Sequence, residues 1–307
     1  MSTGLSTAQV KQYDNMVMLL FQQKMQRLRE FTQVKTGQIG TMCSFDRVGD
    51  AEMTEITGQL DSTTTWTSPQ NYRRWAAKRD FAFNVLLDVS SQLEIILDMK
   101  SGYAQTGAAA AARKADKLII DAVTATALSG KEGVATSAFD ATAPTASGGG
   151  GNEIVTSSVG MTGEKLEEAN AIFNAREVAV DEMDEDGRVC VMGATQMREL
   201  MEDTRAVSRD FYEDPQRGRM PLVRGRIPYY MGFHLRVSNQ LNLNSAGARR
   251  VLAWHRNAMG FGLWIEMLSF IGQLPEHNLA TGIIMQKYAN AVRVDDKGVL
   301  AIACVES

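Results

Sequence analysis

The residues that most often carry out chemistry in proteins are sparse in this sequence and form no catalytic pattern. The three histidines, His234, His255 and His277, lie apart, without an HExxH arrangement and without an i, i+4 pair. A catalytic or metal-binding histidine needs a partner that fixes its tautomer, and the sequence shows none. We therefore predict no catalytic residue and no metal site.

Two segments have the composition of ligand-binding loops but lack the residues that such loops require. The four glycines at 148–151 have no correctly placed P-loop lysine, and the sequence contains neither GxGxxG nor GxSxG. The acidic segment 181–187 would place Gly193 where a calcium loop needs its closing glutamate. We predict no cofactor, and a solvated turn at the acidic segment.

Composition and charge indicate a globular protein of a reducing compartment. The chain has 307 residues, 44% of them hydrophobic and 22% charged, and a net charge of −4, unlike the basic balance of DNA-binding modules. Cys43, Cys190 and Cys304 are odd in number and far apart, which argues against disulfides and a zinc site and fits the cytoplasm. We see no signal peptide and no apolar stretch of transmembrane length.

The first third of the chain predicts a helix followed by an extended arm. Apolar residues recur at helical spacing over 7–31, which predicts an amphipathic helix. Residues 50–85 are rich in Thr and Ser and then alternate strictly, which predicts a long two-stranded arm turning near 61–69. Because an isolated two-stranded hairpin is only marginally stable in water, we expect this arm to lie on a neighbouring copy.

The clearest helix prediction covers residues 101–129, which contain a run of five alanines. Ser101 is the predicted N-cap, Gly130 is the predicted stop, and Asp116 is expected to face away from the apolar stripe. The following segment, 131–160, is dominated by Gly, Ala, Ser and Thr and predicts a flexible loop or linker.

The second half of the chain has a compact α/β pattern. Asp295 to Gly298 is a turn signal between two strand-like stretches and predicts a terminal hairpin. An arginine-rich loop is expected at 205–225. Predicted helices are 163–180 and 195–204, and predicted strands are 188–192, 229–237, 250–256, 283–294 and 299–305.

Clustered aromatic and arginine side chains are the candidates for binding. On the arm, the cluster at 72–75 suits either nucleic-acid stacking or a protein interface, and the acidic chain favours the interface. The arginines near 217–226 indicate either a solvated loop or an intersubunit contact. The predicted intersubunit contacts are Trp66, Tyr72, Arg73, Arg74, Trp75, Arg217 and Arg219.

The order of these elements resembles the Hong Kong 97-type (Johnson) capsid fold of tailed phages. Matching stretches follow in order along nearly the whole chain: Phe45-Asp46-Arg47-Val48-Gly49, Tyr72-Arg73-Arg74-Trp75, Ser101-Gly102-Tyr103-Ala104, Met231-Gly232-Phe233 and Leu252-Ala253-Trp254-His255. The resemblance implies an α+β fold with an N-arm (1–45), an E-loop (46–85), a peripheral domain (86–189) with spine helix 101–129 and flexible loop 131–160, an axial domain (190–250), and a return to the peripheral domain (251–307) ending in a β hairpin.

The resemblance also implies a function without catalysis. It implies a major capsid protein that self-assembles into hexamers and pentamers, and an icosahedral head that encloses double-stranded DNA. The implied partners are other copies, a separate scaffolding protein, a portal protein at one vertex and, where present, a decoration protein, with no membrane. The implied localisation is the virion capsid, assembled in the host cytoplasm. The alternatives are an encapsulin-like nanocompartment shell, which shares the fold, and an enzyme with an unrecognised α/β site.

Overall fold

The structure, a computed structural model, describes residues 23–53, 68–87, 99–145, 147–155, 159–178, 187–202 and 227–306. These residues divide into two compact units, each described by itself. The small unit comprises the described residues of Met1–Gln26, Asp80–Lys114 and Ile265–Tyr288, and the large unit comprises those of Arg27–Arg79, Ala115–Trp264 and Ala289–Ser307.

The described strands and helices follow in chain order. The strands are β1 Gln33–Thr36, β2 Met42–Val48, β3 Asn71–Ala77, β4 Asp80–Leu87, β5 Ala127–Ser129, β6 Ala135–Ser137, β7 Glu153–Ile154, β8 Arg188–Met192, β9 Tyr229–Tyr230, β10 Phe233–Val237, β11 Arg249–His255, β12 Met259–Leu274, β13 Ala280–Arg293 and β14 Val299–Cys304. The α-helices are α1 Met99–Thr124, α2 Gly163–Ala175 and α3 Ala194–Glu202.

The main core of the large unit surrounds a six-stranded sheet in the order β7-β14-β11-β8-β10-β9. β8 and β14 are buried along their whole length, which explains why their sequences are nearly continuous apolar runs rather than alternating ones. Helix α2 buries Leu166, Ala169 and Phe173, which recur at helical spacing and form one apolar face. The predicted strand at 188–192 is confirmed.

A second, four-stranded sheet of the large unit has the order β2-β3-β5-β6. Phe45 and Ala76 point from β2 and β3 into a smaller core, which Val292 and Val294 complete. Gly260 lies against the Phe45 ring, where an added Cβ would come within 2.8 Å of it. This sheet therefore anchors the β2–β3 hairpin to the large unit.

In the small unit the strand order is β12-β13-β4, and the first part of α1 packs on this sheet. An added Cβ at Gly107 of α1 would lie 2.6 Å from Met285 Sδ and 2.9 Å from the Phe83 ring. The absence of a side chain at Gly107 thus allows helix and strands to approach closely.

Three predictions about α1 are wrong in detail. The helix begins at Met99, so Ser101 lies inside it and is not its N-cap. It ends at Thr124, because the chain then enters β5, and Gly130 follows that strand. Asp116 does not face away from the core but is buried, since its carboxylate accepts hydrogen bonds from the backbone N–H groups of Arg27 and Leu28 at 3.1–3.2 Å.

The predicted helix at 7–31 is contradicted over its described part. Residues 23–28 are not helical, Arg29–Phe31 form a single 3-10 turn, and β1 follows; residues 7–22 lie outside the described residues. Tertiary contacts override the helical periodicity here. Besides the bonds to Asp116, the Phe31 carbonyl accepts a hydrogen bond from Trp254 Nε1 at 2.8 Å.

Over its described residues, the segment 131–160, predicted as a flexible loop or linker, contains a hydrogen-bonded turn. It contains β6, and its turn is closed by hydrogen bonds from Thr145 N to Gly149 O at 2.7 Å and from Gly148 N to Thr145 O at 2.9 Å. Arg176 of the large unit donates to the carbonyls of Gly148 and Gly151 at 2.8 and 2.7 Å. Gly148 and Gly150 have positive φ in this tight turn, a conformation that glycine adopts without strain.

Predicted pairings failed in two places where the strands themselves are present. β13 and β14 lie in different sheets, so the predicted terminal hairpin at 295–298 is wrong and the turn connects two layers. The alternation across 74–85 is likewise split: β3 pairs with β2, whereas β4 pairs with β13. A turn signal specifies a change of direction but not which strands pair afterwards.

Candidate assembly surfaces

The β2–β3 hairpin contains the cluster at 72–75, which was predicted to lie on the arm, but its first strand precedes the predicted arm of residues 50–85. Its antiparallel register runs from Met42 opposite Ala77 to Val48 opposite Asn71. A hydrogen bond from Gly49 N to the Gln70 carbonyl at 2.7 Å continues the ladder by one step. Residues 54–67, between the two strands, lie outside the described residues.

Two of the predicted contact residues, Tyr72 and Arg73, are exposed on this hairpin. Tyr72 is 51% exposed, and its hydroxyl donates to Gln70 Oε1 at 2.7 Å. Arg73 forms an ion pair with Asp46, and its guanidinium lies 5.5 Å from the centre of the Trp75 ring. The hydrogen bond from Arg73 holds the pKa of Asp46 below its ordinary value.

The other two residues of the cluster are engaged within the large unit. Arg74 Nη2 lies 2.7 Å from Asp296 Oδ2, and the Arg74 side chain is mostly buried. Trp75 Nε1 donates to the Gly130 carbonyl at 2.8 Å, and Gly133 lies against the indole ring. Arg74 and Trp75 therefore orient the hairpin and are only partly available to a partner.

A cluster of three ion pairs joins the hairpin to the 295–297 connection. The pairs are Arg47–Asp295, Asp50–Lys297 at 3.0 Å and Arg74–Asp296 at 2.7 Å. The hydrogen bond from Lys297 lowers the pKa of Asp50, but both groups are well exposed, so this pair contributes little to stability.

Arg293 connects the same region to the end of α1. Its side chain is fully buried, and Nη1 donates to the carbonyls of Val123 and Ala125 at 2.8 and 2.9 Å. Its Nε lies 2.5 Å from Asp296 Oδ1, so that Asp296 is shared with Arg74. The arginine thus satisfies carbonyl groups that the helix C-terminus leaves without partners.

The small unit carries an apolar surface that the sequence analysis missed. From Ile265 to Ile271 every residue of β12 is exposed, although most of them are hydrophobic. The outer β12 segment (residues 265–274) contains these exposed apolar side chains: Ile265, Met267, Leu268, Phe270 and Ile271. Exposed apolar surface of this extent on a soluble protein indicates a binding interface.

The remaining predicted contacts, Trp66, Arg217 and Arg219, lie outside the described residues, as does most of the acidic segment 181–187. Within the described ranges no group of three or more His, Cys, Asp or Glu residues is arranged to hold a metal ion. No described helix is long and apolar enough to cross a membrane.

His234, His255 and Cys304 have structural environments. The His234 ring packs between Phe31 and Tyr229 at 5.4 and 5.1 Å, and His255 Nδ1 accepts from Asn257 N at 3.3 Å. Burial raises the pKa of the Cys304 thiol to about 11, which leaves it protonated and unreactive at neutral pH.

Known proteins resemble this chain along nearly its whole length. A family described as phage capsid protein matches residues 5–306. No curated protein sequence matches the chain. Among solved structures, the capsid of cyanophage P-SCSP1u is 16% identical with a TM-score of 0.68 and covers 100% of this chain and 96% of its own.

Two further capsids show the same fold at low identity. The capsid of cyanophage Pam1 is 13% identical with a TM-score of 0.70, covering 98% of this chain and 97% of its own. That of Ralstonia phage GP4 is 14% identical with a TM-score of 0.70, covering 98% and 96%. These findings do not favour the encapsulin-like alternative. The chain belongs to the phage capsid protein family: it has the Hong Kong 97-type fold and is a major capsid protein of the head shell.

Proposed function

We propose that copies of this chain form hexamers and pentamers that close an icosahedral shell around double-stranded DNA. In this proposal assembly takes place in the host cytoplasm on a separate scaffolding protein, around a portal at one vertex, and leaves room for a decoration protein. The net charge of −4 supports a container that encloses DNA without a dedicated DNA-binding face. The family supports a structural role without catalysis.

The main support for this proposal is the connection between β2 and β3, which is much longer than a hairpin turn requires. β2 ends at Val48 and β3 begins at Asn71, whereas hairpin loops usually have two to five residues. We propose that residues 49–70 are the part of the E-loop that reaches an adjacent subunit. The predicted E-loop, 46–85, includes β4, but β4 pairs with β13 in the small unit. We therefore restrict the segment that reaches the adjacent subunit to residues 49–70.

The charge cluster at the base of the hairpin supports the same proposal. Three ion pairs connect the base of the hairpin to the 295–297 connection. Exposed Tyr72 and Arg73 are of the residue types enriched at protein interfaces. We propose that these two contact the neighbouring subunit, while Trp66, Arg217 and Arg219 remain predicted contacts.

Replacing residues 54–67 with a short Gly-Ser linker tests the proposal. We expect the yield of closed particles and capsomers, counted by negative-stain electron microscopy after coexpression with the phage scaffold, to fall at least tenfold. Circular dichroism and the unfolding temperature should stay close to those of the unaltered chain. The control is the same linker inserted at Ser245-Ala246 in the β10–β11 turn, which should assemble normally. Normal particle yield from the shortened hairpin would remove the basis of the proposal.

A further inference from the structure

The outer β12 segment is an unusual sheet edge. Of its ten residues only Glu266 is charged, and the first proline is Pro275, beyond the strand. β1 pairs with β12 only from Gly260 to Leu263, so among the described residues no strand pairs with the free edge beyond. Soluble proteins normally protect such edges with lysine, proline, bulges or a covering element. This edge carries apolar side chains instead.

The opposite edge of the same sheet is an ordinary one. β4 alternates between exposed and half-buried residues, with Phe81 and Phe83 facing the groove against α1 and with Ala82 and Asn84 exposed. On β12 both faces are exposed and apolar: Met267 lines the same groove as Phe81, and Phe270 has the opposite parity. The difference shows that sheet position alone does not explain the composition of β12.

We propose that the outer β12 segment pairs antiparallel with the same segment of a second copy across a two-fold axis, with Ser269 on the axis. The occupant is a second copy because the chain forms a shell from copies of itself. Two-fold interfaces use the same surface on both subunits, and a strand edge with which no described strand pairs can provide the main-chain groups for such an addition. The inference thus rests on the shell-forming function.

The sequence of the segment is self-complementary in this register. On one face Met267 lies opposite Ile271 of the second copy, and on the other face Leu268 lies opposite Phe270, so apolar residues meet apolar residues on both sides. Glu266 lies opposite Gly272, which keeps the two copies of the only charge apart. Cross-strand apolar pairs stabilise a sheet, whereas directly opposed like charges destabilise it.

Cysteine cross-linking of the assembled particle tests this arrangement. In the proposed register two copies of Ser269→Cys face each other at a distance that a disulfide can span. We expect diamide treatment of Ser269→Cys particles to convert most of the protein into a covalent dimer on a non-reducing gel. The matched control is Ala82→Cys, exposed on β4 at the other edge, which should stay monomeric. The native cysteines Cys43, Cys190 and Cys304 are buried and should not contribute.

A second set of variants tests the proposed pairing register between the two copies of β12. Ile265→Cys and Gln273→Cys should each stay mostly monomeric, whereas the double variant should cross-link because residue 265 of one copy faces residue 273 of the other. Electron microscopy of each sample first records whether particles are present. A wild-type protein that forms no particle even with its scaffold counts against the shell proposal. Particles in which both Ser269→Cys and the double variant stay monomeric overturn the pairing, and leave another part of a neighbour as the occupant of this edge.

Discussion

β14 in the large unit and the outer β12 segment in the small unit are both strongly apolar strands, yet their surroundings differ completely. β14 has a strand on each side and is buried from Val299 to Cys304. The outer β12 segment has β13 on one side, and Phe270 in its middle is half exposed. An apolar strand can therefore belong to the core of its own chain or form a contact between chains, and its composition alone does not distinguish these two roles.

The largest expected difference between the two strands is the loss of stability when one leucine in each is replaced by alanine. Leu300→Ala in β14 removes a fully buried side chain and should lower the free energy of unfolding of the unassembled subunit by about 3 kcal/mol. Leu268→Ala on β12 should change it by less than about 1 kcal/mol, because Leu268 is already half exposed. Denaturant unfolding measures both. Particle yield should fall for Leu268→Ala, and equal destabilisation by the two variants would erase the distinction between the strands.

Replacement of the buried Arg293 tests how much this side chain contributes to the stability of the unassembled subunit. Arg293→Ala leaves the Val123 and Ala125 carbonyls without their donor and should cost about 3 kcal/mol of stability. The control is Arg236→Ala, whose pair with Glu30 is exposed and should contribute less than about 1 kcal/mol. Thermal unfolding of unassembled subunits compares the two. Similar unfolding temperatures for both variants would contradict the role assigned to Arg293.

A smaller effect is expected in the glycine-rich turn, where alanine substitutions test which glycines the packing of the turn requires. A Cβ at Gly151 would lie 2.1 Å from the Thr142 carbonyl oxygen, so Gly151→Ala should destabilise the subunit by about 2 kcal/mol. Gly149 has more room, with Thr145 Oγ1 at 3.2 Å, and Gly149→Ala should change stability by less than about 0.5 kcal/mol. A flexible linker would tolerate both substitutions equally, so equal unfolding temperatures would restore the linker interpretation.

Acid should have the smallest effect, and should act on the hairpin charges rather than on the apolar β12 contact. Hydrogen bonds from Arg73 and Lys297 lower the pKa values of Asp46 and Asp50 below 3.8. A lowered pKa in the folded state stabilises it above pH 3.8, and this contribution is lost as pH falls through the folded-state pKa. Asp50→Asn should therefore differ slightly from the wild type in unfolding temperature at pH 7, and the difference should shrink as the pH falls below 3.8. A difference that persists at low pH would exclude this pair as its cause.

The sequence predicted local features better than pairings. The limits of the strand 188–192 were predicted correctly, because a short apolar stretch between polar turns indicates a buried strand with clear ends. The burial of Asp116 could not be predicted, because its partners are backbone groups of Arg27 and Leu28, almost ninety positions away. The 295–298 turn was recognised correctly, but its flanking strands join different sheets for reasons that lie outside the turn.

The candidate surfaces show the same limit. The cluster at 72–75 was selected by residue type, and the structure divides it into two exposed residues and two that are held internally. The outer β12 segment was missed because an apolar strand is the usual sign of a core. Its exposure and its position beyond the end of β1, at the edge of the sheet, indicate an interface.

Hydrogen exchange of assembled particles against unassembled subunits tests the central comparison most directly. We expect those amides of residues 265–274 that face the free edge, and not β13, to exchange at least tenfold more slowly in the particle, because a neighbouring copy then covers them. The amides of β8 and β14 should exchange equally slowly in both states, since their own chain already protects them. Unchanged exchange at 265–274 on assembly would contradict the account and show that the exposed apolar strand is not a subunit contact.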